Sequence, residues 1–197
     1  MRVEPVTLTG RYVRLDPLSE AHVPDLAVAG RAPEIWQWMP YGELTTEPRM
    51  RDWVRDLLER QARGTDLPFA VIATSTGRAV GCTRYLDIQV AHRALEVGGT
   101  WYAVERQRTA VNTECKLLVL SHAFEQLGAN RVQFKTDVRN GRSQRALERI
   151  GAVREGTLRE HLIMPDGHAR SSVYYSILAR EWPSVKAHLE AKLAAAG

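Results

Sequence analysis

The chain has 197 residues, 44% hydrophobic and 25% charged, which suits one compact domain with a sizeable core. No apolar run reaches the roughly 18–20 residues of a membrane-spanning helix, and MRVEPVTLTGRYVRL lacks the apolar stretch of a secretory leader. A cytoplasmic setting with no membrane partner is therefore expected. The net charge of +4 suits a phosphate-bearing small molecule better than nucleic acid, because Lys and Arg are interleaved with acids. Cys82 and Cys115 lie among apolar neighbours and read as small buried residues, while scattered histidines give no metal-ligand spacing.

In chain order, Thr7–Leu15 alternates apolar and polar residues and predicts a first strand. Ser19 is placed to cap a helix over 21–29, which Gly30 ends. The segment PEIWQWMPYG, residues 33–42, crowds Trp36, Trp38, Met39 and Tyr41 together. These are either anchors beneath a loop or an aromatic wall around an amine-bearing ligand. Thr46 and Pro48 open a helix whose stripe of Trp53, Leu57 and Leu58 runs towards Arg63. Residues 67–73, 79–88 and 95–103 read as strands, the first two joined by a turn at Thr76-Gly77. Apolar residues at 117, 118, 120, 123, 124 and 127 predict a helix over 113–127, closed by Gly128. A strand over 131–138, a helix over 143–150 and a hairpin of 153–163 with 169–178 around Pro165-Asp166-Gly167 follow. The last helix runs from Pro183 to about Ala195. The fold class is α/β in the broad sense (α+β), a single domain over residues 1–197.

The chemistry concentrates where the strand ending near Ala103 passes through a short polar loop into a helix. Unpaired N–H groups and the helix dipole there suit phosphate oxygens, and Arg106 and Arg108 add positive charge. Strand-loop-helix connections are common, so this feature alone is also compatible with an ordinary connection.

Gln107-Arg108-Thr109-Ala110-Val111-Asn112, followed by Thr113-Glu114-Cys115, resembles the pyrophosphate-binding motif of the GNAT superfamily, commonly Gln/Arg-x-x-Gly-x-Gly/Ala. Downstream, residues 140–152 (NGRSQRALERIGA) are similar to the Asn-x-x-Ser-x-x-x-Leu-Glu-x-Leu-Gly-Phe segment of its RimJ/RimL-like branch. The N-terminal strand and PEIWQWMPYG are similar to that branch too, so the resemblance covers nearly the whole chain. It implies a mixed, mostly antiparallel central sheet flanked by helices, and acetyl-CoA or a related acyl-CoA as acyl donor. It also implies N-acyl transfer by direct attack of a primary amine, on a protein N-terminus or a small molecule, and a homodimer. Ala110 stands where the motif usually has Gly, Asn112 where it has Gly or Ala, and Leu147 where many members have a proton-donating tyrosine. These departures leave a second reading open, a CoA-binding sensor or interaction domain without catalysis.

The resemblance also implies roles. Backbone groups near Trp101, Tyr102, Ala103 and Val104 would hold the pantetheine arm, and an amide between Gly99 and Trp101 would polarise the thioester carbonyl. Gln107, Arg108, Thr109, Ala110, Val111, Asn112 and Thr113 would cradle the pyrophosphate, and Asn140 would bind the pantetheine or a water. Glu96, eleven residues before Gln107, is the candidate base; the alternative is a solvated strand acid. Ser143 is the candidate proton donor to the leaving thiolate, or else a helix N-cap. Trp36, Trp38 and Tyr41 would border the acceptor with His161; His161 and His168 flank the Pro165-Asp166-Gly167 turn, where either would assist proton removal or else be structural.

Overall fold

The computed structural model describes residues 1–195. Over these, one eight-stranded sheet comprises β1 (Leu8–Thr9), β2 (Val13–Pro17), β3 (Leu67–Ala73), β4 (Ala79–Gln89), β5 (Ala94–Tyr102), β6 (Arg131–Asp137), β7 (Val153–Ile163) and β8 (Ala169–Leu178). The spatial order is β1-β2-β3-β4-β5-β6-β8-β7, and β5–β6 is the parallel pair among antiparallel neighbours. The helices are α1 (Val23–Ala29), α2 (Glu47–Ala62), α3 (Ala110–Ser121), α4 (Gly141–Arg149) and α5 (Trp182–Ala194). None is long and apolar enough to cross a membrane among the described residues.

Strand alternation sorts the side chains into two cores. Val71, Tyr85, Leu95, Phe134 and Tyr175 pack with Cys115 and Val119 of α3 and Leu189 of α5. On the other face Ala70, Ile72, Cys82 and Trp101 pack with Leu26 of α1 and with Met50, Trp53 and Leu57 of α2. Both cysteines are buried and free.

Several boundaries differ from the sequence expectation. The strand expected over 7–15 is two short strands, split by a turn whose Arg11, Tyr12 and Val13 N–H groups donate to the Glu114 carboxylate at 2.8, 2.6 and 2.7 Å. A buried carboxylate taking three backbone donors offers this segment a better arrangement than a straight ladder. The helix expected from 113 begins at Ala110, because Thr109 caps it by accepting from the Val111 N–H at 3.3 Å. It ends on a π-helical turn, His122–Gln126, so the apolar stripe runs on to 127 while the helical pitch changes. The helix expected from 143 begins at Gly141, capped by Asn140 rather than Ser143: the Ser143 N–H donates to Asn140 Oδ1 at 3.0 Å.

Candidate active site

Strands β5 and β6 pair only at Ala94–Arg131, Leu95–Val132 and Glu96–Gln133. Beyond these pairs they part. A cavity of about 510 Å³ opens between them, lined by residues 98–102 of one and 134–136 of the other. Splaying is possible here because a parallel pair needs no turn to hold its ends together.

A bulge aims the backbone of β5 at this opening. Cys82 pairs with Trp101 and Arg84 with Gly98, so Thr83 alone faces both Gly99 and Thr100. Gly99 has φ +58°, and a Cβ there would lie 2.9 Å from Arg84 Nε, so both conformation and space favour glycine. The extra residue also inverts the alternation. Leu95 and Val97 face α3 before the bulge, whereas after it Tyr102 faces α3 and Trp101 faces α1 and α2.

One end of the cavity is lined by Gln107, Arg108 and Asn112, and by Asn140, Arg142, Ser143, Arg145 and Arg149 of α4 and its cap. In the first turn of α3, N–H groups have no intrahelical acceptor, and four arginines give this end a positive potential. Gln107 spans the mouth: its Nε2 donates to the Tyr102 carbonyl at 3.2 Å, and its Oε1 accepts from Arg142 at 2.8 Å. Ala110 and Asn112 lie in ordinary helix, and the left-handed residue of the loop is Arg108, φ +61°. The departures from small residues therefore fall where alanine and asparagine fit without strain. Ala103, Val104, Thr109, Ala110, Val111 and Thr113 shape this loop and helix start without lining the cavity themselves. These residues fit a polyphosphate end and a pantetheine arm, as the CoA expectation requires.

The opposite end lies on the face of α1 and α2, walled by Trp38, Met39, Pro40 and Tyr41 with Arg84, Leu86, Glu96, Lys135, Leu162 and Arg170. Trp36 is a correction to the expected acceptor wall. It is 2% exposed, packs on Trp101 at 4.9 Å and donates its indole N–H to the Gly30 carbonyl at 2.7 Å, so it anchors the loop from below. Trp38 lines the cavity under the Arg139 guanidinium, 5.0 Å from the ring centre. His161 also differs from expectation, since it does not line the cavity. Its Nδ1 pairs with Ser172 Oγ at 3.1 Å and its Nε2 with the Tyr174 hydroxyl at 3.3 Å, so that Ser172 stands between it and the wall residue Arg170.

Glu96 is 2% exposed, not a solvated strand acid. Its Oε2 accepts from Lys135 at 2.9 Å and from Gln133 at 3.4 Å, while Oε1 has no hydrogen-bond partner among the described residues. Burial raises its pKa above the usual carboxylate value against the opposing pull of Lys135, a direction that favours proton uptake. Ser143 lines the cavity in the first turn of α4 and keeps its hydroxyl uncommitted, its backbone being the capped group. Asn140 also lines the cavity, with Oδ1 spent on that cap and its amide N–H groups left for a ligand.

Sequence reasoning missed Arg84, Lys116, Lys135 and Arg170. Lys116 is buried at the cavity edge; its Nζ donates to Thr100 Oγ1 at 2.9 Å and lies 5.8 Å from the Phe134 ring centre. No carboxylate lies within 4.0 Å of it among the described residues, and burial lowers its pKa. The signal for all four was present as charge at inward positions of otherwise apolar periods, such as Lys116 among Cys115, Val119 and Leu120.

Comparison with known proteins agrees with this geometry. Residues 13–153 match the model of the acetyltransferase (GNAT) domain family. "Putative ribosomal N-acetyltransferase YdaF" of Bacillus subtilis (strain 168) is 34% identical over 110 residues, 56% of this chain and 59% of that relative's length. The crystal structure of a "putative acetyltransferase" from T. thermophilus is 40% identical with TM-score 0.88, covering 98% of this chain and 100% of that one. A GCN5-related N-acetyltransferase from Brucella melitensis is 29% identical with TM-score 0.91, covering 97% and 86%. A continuous cleft at a splayed parallel pair, with a helix N-terminus at one end and a buried carboxylate at the other, thus accompanies a family match over most of the chain: this protein belongs to the GNAT acetyltransferase family.

Proposed function

We propose that the protein transfers an acetyl group from acetyl-CoA to a primary amine by direct attack, with Glu96 as base and Ser143 as proton donor. The observation that carries this reading is the single cavity joining the arginine-rich start of α3 and α4 to the uncommitted Oε1 of Glu96. When bound, acetyl-CoA supplies an activated acetyl group whose C–S bond breaks as the C–N bond to the amine forms. Gln107, Arg108, Asn112 and the arginines of α4 hold the phosphates, and the bulge at Gly99-Thr100 presents backbone N–H groups to the thioester carbonyl. Glu96 removes the proton of the entering ammonium, and its raised pKa brings its basicity closer to that task. Ser143 gives a proton to the departing sulfur and recovers, through water, the second proton that the acylated nitrogen sheds, while Glu96 releases the first to solvent. Cys82 and Cys115 take no part: both are buried, and burial raises both thiols, Cys82 to about 12.

The acceptor amine lies between the wall of Trp38, Met39 and Tyr41 and the strand residues Glu96 and Arg170. The name of the Bacillus relative suggests ribosomal protein as one acceptor class, and small amines are the other. Saturating acetyl-CoA, at a hundred times Kd, contributes about 2.7 kcal/mol and raises Tm by about 5–10 °C for a domain of this size. A thermal scan with no shift in acetyl-CoA sinks the cofactor assignment. Binding without thiol release across a broad amine panel selects the non-catalytic alternative.

A further inference from the structure

On the acceptor face, one buried cation makes no direct ion pair. Asp66 stands 3.3 Å from Arg84, Glu96 2.9 Å from Lys135, and Asp137 2.8 Å from Arg139. Arg170 is 4% exposed, lines the same cavity, and has no carboxylate within 4.0 Å among the described residues; Asp137 and Glu96 act on it only from further away. Its guanidinium is held in place all the same. Nε donates to Ser172 Oγ at 3.2 Å and Nη1 to the Trp38 carbonyl at 3.3 Å, which leaves Nη2 without an acceptor among the described residues. Ser172 is held in turn by His161, and His161 by Tyr174. Burial, with Lys135 and Arg170 nearby, lowers the pKa of His161, so at neutral pH the ring is uncharged and competes for no anion.

A buried, oriented guanidinium with a free N–H edge is costly unless something anionic meets it. The ligand that completes this end therefore brings acceptor oxygens and negative charge. The cavity also carries Glu96, so the same ligand brings its amine to a carboxylate.

We infer that the acceptor is an amine bearing a nearby carboxylate, seated on Arg170, with the wall of Trp38 and Tyr41 enclosing the remainder. A free α-amino acid presents this pair, and so does a peptide whose first side chain is acidic. This rests on the acetyltransferase reading above and narrows its acceptor.

The test is a panel of amino acids, their carboxamides, and amidated dipeptides beginning with Asp, Asn, Glu or Gln. Acetyl-CoA is the donor and thiol release the readout, alongside calorimetric binding of the N-acetylated products to the CoA-saturated protein. At least one carboxylate acceptor is expected to exceed its carboxamide about tenfold in kcat/KM or product affinity, as befits a charge-assisted hydrogen bond. In Arg170→Gln that ratio falls towards one, and Arg170→Lys restores part of it; a purely structural role for Arg170 would weaken both acceptors alike. The two dipeptide pairs tell the peptide source from the free amino acid. A panel in which no carboxylate outperforms its amide, or a preference that survives in Arg170→Gln, overturns the inference. A thermal shift by acetyl-CoA in the same samples separates that outcome from failure of the acetyltransferase assignment itself.

Discussion

Glu96 illustrates how much a single position owes to its surroundings. Its pairing partners are Leu86 on β4 and Gln133 on β6, so its side chain emerges where the two parallel strands begin to part. A carboxylate whose pKa is raised on folding binds more protons in the native than in the unfolded state between its ordinary value and its folded value. Stability therefore falls as pH rises through that window, starting near the ordinary value of 4.5. Glu96→Gln removes this fall, so its Tm relative to the native protein should climb over the same window in a pH-stepped thermal scan. Activity should move the opposite way, with kcat/KM down about 10²–10⁴-fold and the acidic limb of the pH profile lost. A variant that keeps full turnover across pH eliminates Glu96 as base. The position was legible in the sequence, since its spacing to Gln107 marked it. What was not legible was its immersion, which comes from Lys135 and Gln133, distant in sequence and brought alongside only by the parallel pairing.

At the scale of elements, α3 serves two sites through neighbouring residues. Asn112 and Lys116 turn to the cavity, while Glu114 turns to the β1–β2 turn and takes its three N–H groups. The fit is close: a Cβ on Gly10 would come within 2.4 Å of the Glu114 carboxyl carbon. Glu114→Ala leaves those three donors buried or half-buried without an acceptor and should cost about 3 kcal/mol in denaturant unfolding. Gly10→Ala should be destabilising for the same reason, and the double variant should cost less than the sum of the two. Fully additive costs would show that the two residues act separately. Elements with strong local signals were legible, including the long α2 stripe and the Pro165-Asp166-Gly167 hairpin. The misplaced boundaries all lie where a side chain satisfies backbone, from far along the chain for Glu114 and as a local cap for Thr109 and Asn140. Glu114 splits the first strand, Thr109 starts α3 early, and Asn140 takes the capping role considered for Ser143. Arg170 escaped notice for a related reason: its chemistry depends on Trp38 and Ser172, and Trp38 lies far upstream, beyond β3 and β4.

Across the whole molecule, the splayed pair turns the sheet into a partition with a doorway. One side of the doorway is the arginine-rich start of α3 and α4, and the other is the acceptor wall with Glu96 and Arg170. The two ends hold their charge differently, and this makes them separable. Arg142, Arg145 and Arg149 at the donor end are exposed, so their attraction for phosphates is screened over about 10 Å at 0.1 M salt. Arg170 is sealed in the wall, where screening by salt is weak. Acetyl-CoA affinity should therefore weaken as salt is raised from about 0.05 to about 0.5 M, and Arg145→Ala with Arg149→Ala should flatten that slope while lowering affinity at low salt. Arg170→Gln should leave the salt slope for acetyl-CoA unchanged, because its charge faces the other end of the cavity. The carboxylate preference of the acceptor should in turn change little with salt in the native protein. Calorimetric titrations of acetyl-CoA and of N-acetylated products at two salt concentrations measure both slopes. A salt slope for acetyl-CoA that depends on Arg170 as strongly as on Arg145 would mean that the two ends are one electrostatic site, and the division of labour across the doorway would have to be abandoned.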